Sequence, residues 1–167
     1  ACPLAVLEAQ RAHRDRVEAD AMRFYIHDLW PDMDRLRAAL GGLIHADPGD
    51  LVFVSNATSA VATVIANIDL GPGDEVVVNR FEYPACINNI RRACERSGAT
   101  LVFADLPWPP VDEESVAEAI MGKVNDRTRL VLLSLITSAT AVRLPVERLI
   151  RELGALGVES LLDAAHG

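Results

Sequence analysis

Short aliphatic and β-branched runs alternate with amphipathic segments along most of this chain. Their continuous apolar character predicts strands buried on both faces, and they lie at residues 51–54, 75–79, 100–104, 129–135 and 158–162. Helical windows separate these runs, at residues 57–68, 84–97, 113–124 and 145–156. Parallel strands need long crossover connections, which helices supply. The alternation therefore predicts an α/β fold, a mostly parallel sheet with helices on both faces.

Residues 1–46 are predicted to form helices that precede the alternating part. Apolar positions at helical spacing indicate one helix over residues 4–22 and a second over residues 32–46. Pro31 precedes Asp32, a plausible N-cap for the second helix. Farther along, prolines 107, 109 and 110 cannot donate to a sheet, so residues 106–110 are expected to form a surface or mouth loop.

The amino-acid composition and net charge limit the kinds of molecule that this protein is expected to bind. The formal charge is −8 and half of the residues are apolar, which favours a folded core and disfavours nucleic acid and anionic membranes as partners. No apolar run approaches the roughly 20 residues that cross a bilayer, and no leader pattern opens the sequence, so we expect a cytoplasmic protein. Cys86 and Cys94 are expected to be reduced, buried thiols.

The first candidate site follows the run at residues 51–54. A turn of small polar residues, at positions 55–60, opens a predicted helix whose first N–H groups have no partner within the helix. An anion can reach these donors, and the hydroxyls of Thr58 and Ser59 add hydrogen bonds. An ordinary N-cap explains the same residues. The turn matches neither a Walker A motif nor GxGxxG, which disfavours nucleoside triphosphates and dinucleotides.

Other strand ends add an aromatic ring and a carboxylate. Tyr83 follows the second run and can stack on a flat ligand, although an aromatic residue at such a place more often serves packing. Asp163 follows the last run and can pair with a cationic ring nitrogen or serve as a turn residue. His166 offers a hydrogen-bond donor or an acid–base group, or is a hydrogen-bonded surface or core histidine. The other histidines lack ligand spacing, so no metal site is predicted. An anion cradle, an aromatic ring and a carboxylate on one rim suit pyridoxal phosphate.

Several motifs, in this order along the chain, resemble those of a known family. They are Ser55-Asn56-Ala57-Thr58, Gly71-Pro72-Gly73-Asp74-Glu75-Val76, Glu82-Tyr83, Ile136-Thr137-Ser138 with Leu144-Pro145-Val146, and Asp163-Ala164-Ala165-His166-Gly167. Together they resemble the class V aminotransferases, which are fold-type I pyridoxal 5′-phosphate enzymes. Tyr83, the loop at residues 106–109 and the DxAH ending are most similar to the isopenicillin N epimerase-like branch, beside the cysteine desulfurase-like enzymes.

The resemblance implies a role for each matching residue. Ala57 and Thr58 would hold the cofactor phosphate, and Tyr83 would stack on the ring. Asp163 would bind the ring nitrogen and His166 the ring oxygen O3′, which makes these two the implied catalytic residues. Ser138 would contact the ring on the side of O3′, and Thr137 is its neighbour in sequence. Leu135 stands where the family often has a histidine.

The family's Schiff-base lysine follows the aspartate motif by some tens of residues. The sequence has one lysine, Lys123, near the end of a predicted helix, and both ends of the chain look cut. We therefore expect residues 47–167 to be an incomplete cofactor-binding large domain without the small C-terminal domain, and this chain alone to be inactive. The resemblance implies that the whole enzyme is a homodimer acting on an amino acid substrate as an epimerase, desulfurase, lyase or transaminase.

Two other functions remain compatible with the residues. One is a non-catalytic α/β domain that binds a phosphate ligand or a partner chain, which the single lysine favours. The other is a nucleotide-binding domain of another family, which the missing glycine fingerprint disfavours.

Overall fold

The computed structural model describes residues 2–109 and 112–167, which form two compact units. The first unit reaches to Phe53 and the second extends from Val54 to Gly167. Pro110 of the predicted proline-rich loop lies outside the described residues. Within that loop, Trp108 is exposed and its ring lies 5.4 Å from that of Phe81. No helix in the described ranges combines the length and the apolar character needed to cross a membrane.

The first unit consists of helices. They are α1 (Leu4–Ala19), the short α2 (Ala21–Arg23), a π-helical turn (Phe24–Asp28) and α3 (Leu29–Ile44), followed by a 3-10 turn (Pro48–Asp50). The helix predicted over residues 4–22 is interrupted at Asp20, whose backbone leaves the helical region (φ −157°, ψ 84°). Its carboxylate accepts a hydrogen bond from the N–H of Arg23 at 3.0 Å. Asp20 thus caps a new helix where the pattern predicts continuity.

Asp32 is not the N-cap that the sequence predicts, because α3 already begins at Leu29. A proline is tolerated in the first turn of a helix, where its missing N–H would have no partner, so Pro31 does not mark a boundary. The Asp32 carboxylate instead accepts hydrogen bonds from Arg16, at 3.2 Å, and from Arg35. This part of the prediction is wrong.

The strand predicted at residues 51–54 is not formed. Leu51 has an extended backbone (φ −96°, ψ 129°), but the segment pairs with no strand among the described residues. The side chains of Val52, Phe53 and Val54 are 81%, 45% and 49% exposed. An aliphatic run satisfies the local preference for a strand, whereas a sheet also needs a neighbour for its N–H and C=O groups.

The second unit confirms the predicted α/β fold, and its described residues form four strands instead of five. The strands are β1 (Glu75–Asn79), β2 (Thr100–Ala104), β3 (Thr128–Ser134) and β4 (Glu159–Asp163). All neighbours are parallel, in the order β2-β1-β3-β4. The helices are α4 (Ala57–Asn67), α5 (Pro84–Ser97), α6 (Glu113–Met121) and α7 (Val146–Ala155). These bounds agree with the predicted windows to within about three residues.

Both faces of the sheet are covered, which explains why its strands are apolar throughout. Val76 and Val78 point to one face, where they pack with α4 and α5, while Val77 points to the other, with α6 and α7. Cys86 and Cys94 are free thiols buried on the α5 side, as predicted, and Cys2 is exposed. The two cores fix the sheet between helices and align the carboxyl ends of its strands.

Candidate functional site

A cavity of about 370 Å³ lies at the carboxyl ends of β1, β3 and β4, within the second unit. Its volume is in the range of small-molecule sites in proteins. Four segments supply its lining, namely the start of α4, the turn after β1 and the segments after β3 and β4. The lining residues are Asn56, Ala57, Thr58, Tyr83, Ser134, Ile136, Ser138, Asp163, Ala165 and His166.

The start of α4 presents two backbone N–H groups to this pocket. Asn56, with an extended backbone, caps the helix by accepting a hydrogen bond from the N–H of Ser59 at 2.8 Å. The N–H groups of Ala57 and Thr58 have no acceptor among the described residues. The helix dipole makes this end positive, and the small side chain of Ala57 leaves the backbone accessible. The pocket therefore offers two preorganised donors to an anion.

Tyr83 enters the pocket from the turn between β1 and α5. Pro84 follows it as the first residue of α5, and the Tyr83 side chain is 45% exposed. Asn79, at the end of β1, fixes this turn because its side-chain oxygen accepts a hydrogen bond from the N–H of Phe81 at 2.8 Å. The aromatic ring is thus carried by a turn that the buried strand end holds in place.

Asp163 is the last residue of β4, and both of its carboxylate oxygens have a neighbour. Oδ1 accepts a hydrogen bond from the N–H of Ala165 at 3.0 Å, and Oδ2 lies 3.8 Å from the thiol of Cys86. These contacts orient a half-buried carboxylate in the pocket wall. His166 follows in the next turn, where it is exposed and lines the same pocket.

Two neighbouring residues in the segment after β3, Thr137 and Ser138, have different environments. Ser138 is exposed and lines the pocket. Thr137 is buried, and its hydroxyl binds the hydroxyl of Thr140 at 2.7 Å and accepts from the N–H of Val142 at 2.9 Å. Thr137 therefore shapes the loop that presents Ser138. Leu135 packs against the core on the α7 side.

Glu82 is a functional candidate that the sequence indicates only as part of a motif, without a role. Its side chain is 3% exposed and accepts hydrogen bonds from the side chain of Asn79 and from both the N–H, at 2.9 Å, and the hydroxyl of Ser134. Burial raises the pKa of Glu82 to about 7, these hydrogen bonds oppose the rise, and the charge of Asp163 adds to it. In the sequence, a glutamate in a turn is typical of a solvated surface.

Cys86 also contacts the site, although the sequence indicates only a core thiol. Burial, as the largest cause, and the nearby carboxylates of Asp163 and Glu82 together raise the pKa of the Cys86 thiol to about 11. The thiol therefore stays protonated at neutral pH and can donate to Asp163. Ser134, which lines the pocket, was also not singled out from the sequence, because it ends a strand whose four preceding residues, at positions 130–133, belong to the core.

The structure brings together all six residues that the sequence singled out as cofactor contacts. Ala57, Thr58, Tyr83, Ser138, Asp163 and His166 line the same pocket, and the cofactor role of each stays a prediction. Lys123 lies elsewhere, because it follows α6 and precedes β3, at the amino ends of the strands.

The pocket's chemistry fits pyridoxal 5′-phosphate. The two free N–H groups at the start of α4 match a phosphate, and the exposed ring of Tyr83 matches a planar ring. The Asp163 carboxylate, whose Oδ2 is contacted only by a weak thiol donor among the described residues, matches a protonated ring nitrogen.

Comparison with known proteins agrees with this chemistry. A family model described as Aminotransferase class-V matches residues 3–167. The chain is 29% identical to isopenicillin N epimerase from Streptomyces clavuligerus, over 98% of this chain and 41% of that protein. It is 32% identical to L-cysteine desulfhydrase from Arabidopsis thaliana, over 99% of this chain and 40% of that protein. The chain thus spans about two fifths of the length of these relatives.

Solved structures confirm the fold. The cystine C–S lyase C-DES in complex with its product cysteine persulfide superposes with a TM-score of 0.89 at 23% identity, over 99% of this chain and 45% of that one. A mutant of C-DES with glycine covalently linked to its PLP cofactor gives a TM-score of 0.88, also at 23% identity, over 99% of this chain and 44% of that one. The predicted fold-type I architecture, the family resemblance and pyridoxal 5′-phosphate as the family's cofactor are therefore confirmed.

Proposed function

Because the chain belongs to the class-V aminotransferase family, we propose that its second unit holds pyridoxal 5′-phosphate in the pocket at the carboxyl ends of β1, β3 and β4. The observation that carries this proposal is that the start of α4 and the end of β4, which are far apart in sequence, line one pocket. Ala57 and Thr58, whose N–H groups have no acceptor among the described residues, line the same cavity as Asp163. This combination suits a ligand with a phosphate at one end and a cationic nitrogen at the other.

Each residue has a distinct task in this proposal. Ala57 and Thr58 bind the phosphate through backbone N–H groups and the threonine hydroxyl. Tyr83 stacks on the ring, and Ser138 and His166 hydrogen-bond its polar edge. Asp163 holds a proton on the ring nitrogen by charge pairing. The bound cofactor supplies an electron sink for bonds at the substrate α-carbon, and a protonated nitrogen strengthens that sink.

We propose further that the whole enzyme acts on an amino acid and works as a homodimer. The relatives named above act, by their names, on cysteine or on isopenicillin N, which supports an amino-acid-like substrate. Four reaction types remain within the proposal, namely epimerisation, desulfuration, lyase chemistry and transamination. Lys123 takes no part in the site, since it lies at the other end of the sheet.

Ligand-dependent thermal unfolding of the chain tests the proposed site. The probes are pyridoxal 5′-phosphate, its analogue 4-deoxypyridoxine 5′-phosphate, which has no aldehyde, and AMP. We expect saturable stabilisation by the first two and none by AMP, with Lys123→Arg as a control that leaves the analogue's effect unchanged. Stabilisation by AMP alone, or by neither pyridine compound, contradicts the proposal.

A non-catalytic phosphate-binding domain is the second candidate function. The position of Lys123, the only lysine of the sequence, at the amino ends of the strands favours it. In that case inorganic phosphate would stabilise the chain as well as the pyridine analogue does. A clear preference for the analogue at equal concentration supports the cofactor site instead.

A further inference from the structure

Glu82 is a buried acid beneath the pocket with no cationic partner among the described residues. Its three hydrogen-bond donors, Asn79 Nδ2, Ser134 N and Ser134 Oγ, are all neutral groups. Glu75, at the opposite end of β1, shows the contrast, because its buried carboxylate pairs with Arg127 and Asn125. Those contacts lower the pKa of Glu75, with the Asn125 hydrogen bond as the largest cause.

The hydrogen bonds of Glu82 divide unequally between its two oxygens. Oε1 accepts from two N–H groups, those of Asn79 and Ser134. Oε2 has one partner, the hydroxyl of Ser134, which can either donate or accept. A neutral Glu82 therefore has one place for its proton, on Oε2, directed at the serine hydroxyl. Every polar atom of the side chain is then satisfied without a buried charge.

The titratable groups that face Glu82 favour this neutral form. They are Asp163, at the end of β4, and Cys86, on α5, and neither brings a positive charge. β1 and β3 contribute the neutral groups of Asn79 and Ser134. Ionised Glu82 would place a second negative charge close to Asp163 in a site shielded from water.

Resting on the proposed cofactor site, we propose that neutral Glu82 is a positioning residue of that site. Its Oε2–H donates to the Ser134 hydroxyl, which leaves the serine's own proton free for an acceptor atom of the bound ligand. Ser134 is 4% exposed and lines the pocket. Glu82 also ties the ends of β1 and β3 to the turn that carries Tyr83, its neighbour in sequence.

Ionisation of Glu82 would reverse this hydrogen bond. The Ser134 hydroxyl would then donate to Oε2 and present only lone pairs to the pocket. Glutamine reproduces the neutral acid, because its oxygen accepts from Asn79 and Ser134 N–H while its NH₂ group donates to Ser134 Oγ. Glu82→Gln therefore fixes the hydroxyl in the ligand-binding direction at every pH.

The test measures the affinity of the chain for 4-deoxypyridoxine 5′-phosphate by equilibrium dialysis at about pH 6 and about pH 8. Four proteins are compared, namely the unchanged chain and the variants Glu82→Gln, Glu82→Leu and Glu75→Gln. The probe's own titration is the same for all of them, so ratios between proteins isolate the effect of Glu82. Far-UV circular dichroism verifies that each variant is folded.

We expect the unchanged chain and Glu82→Gln to bind equally at about pH 6, and the unchanged chain to bind about fivefold more weakly than Glu82→Gln at about pH 8. Glu82→Leu weakens binding at both pH values, whereas Glu75→Gln follows the unchanged chain. A pH-independent ratio between the unchanged chain and Glu82→Gln overturns the proposal, even if Glu82→Leu fails to fold. An unchanged chain that binds no probe overturns both this proposal and the proposed function, while binding without a Glu82 effect overturns this one alone.

Discussion

The thiol of Cys86 lies 3.8 Å from Oδ2 of Asp163, which joins the buried face of α5 to the carboxylate of the pocket. Asp163 thus receives one hydrogen bond from its own turn, at Ala165 N–H, and one from a helix on the sheet's face. A carboxylate held from two sides keeps one orientation toward a ligand. The thiol that holds it has an elevated pKa, and this has a measurable consequence.

The three cysteines should differ in reactivity toward a thiol reagent. Cys2 is exposed, whereas Cys86 and Cys94 are buried and burial raises the pKa of both. Since the thiolate is the reactive form, we expect one fast-reacting thiol per chain at about pH 8 and two that react only after unfolding. Mass spectrometry of alkylated peptides identifies them. Fast modification of Cys86 in the folded chain would contradict its placement beneath the pocket.

Thr58→Val should weaken binding of the pyridine phosphate analogue by about tenfold or more, because it removes one hydrogen bond to a charged phosphate, worth about 1.5–3 kcal/mol. Thr63→Val is the matched control, since Thr63 lies in the same helix α4 but outside the pocket lining. Dissociation constants from equilibrium dialysis give the comparison. Equal losses in the two variants would attribute the effect to α4 stability instead of phosphate binding.

Asp163→Asn should preserve the fold and reduce affinity for the analogue by about tenfold or more, since a charge-assisted hydrogen bond to the ring nitrogen becomes a neutral one. The amide oxygen can still accept from Ala165 N–H. Asp105→Asn is the control, because Asp105 follows β2 and binds Arg80 outside the pocket. Unchanged affinity of Asp163→Asn would remove Asp163 from the proposed role.

The contribution of Glu82 to the free energy of unfolding should fall as the pH rises from about 4.5 to about 7, because the pKa of Glu82 is raised from 4.5 to about 7 in the folded chain. The unfolded chain releases this proton at lower pH, so the contribution is fully present below about 4.5 and lost through about 7. A shift of this size corresponds to about 3 kcal/mol. Urea unfolding of the unchanged chain and of Glu82→Gln, which lacks the titration, measures the difference. Parallel pH profiles would contradict the neutral, buried state of Glu82.

The sheet could be predicted where an apolar run has a pairing neighbour among the described residues. The run at residues 75–79 forms β1 with the predicted bounds, since its side chains are buried on both faces. The run at residues 51–54 is also apolar but forms no strand, because strand formation depends on a pairing partner that local sequence does not encode. Helix caps show a similar limit of local sequence. Asp32 has the residue type of an N-cap, but the cap that forms is Asp20, at the start of α2.

The pocket could be predicted because ligand sites in parallel sheets lie beyond the carboxyl ends of the strands. Tyr83 and Asp163 follow from that rule and from the resemblance. Thr58 follows from the small polar turn and from the resemblance, since the strand predicted before it is not formed, and all three residues line one cavity. The role proposed for Glu82 could not be predicted, because it depends on burial of this turn residue against Ser134, at the distant end of β3. Charged residues in turns are normally solvated, and only the three-dimensional structure shows this exception.

An amide NMR titration of the chain with 4-deoxypyridoxine 5′-phosphate tests the central claim most directly. The proposed site predicts saturable shifts concentrated at the start of α4, at Tyr83, after β3 and at residues 163–167, with the largest at the N–H groups of Ala57 and Thr58. Inorganic phosphate should shift the α4 signals alone. Shifts that leave Ala57, Thr58 and Asp163 unaffected, or no shifts at all, would contradict the assignment of this pocket to pyridoxal 5′-phosphate.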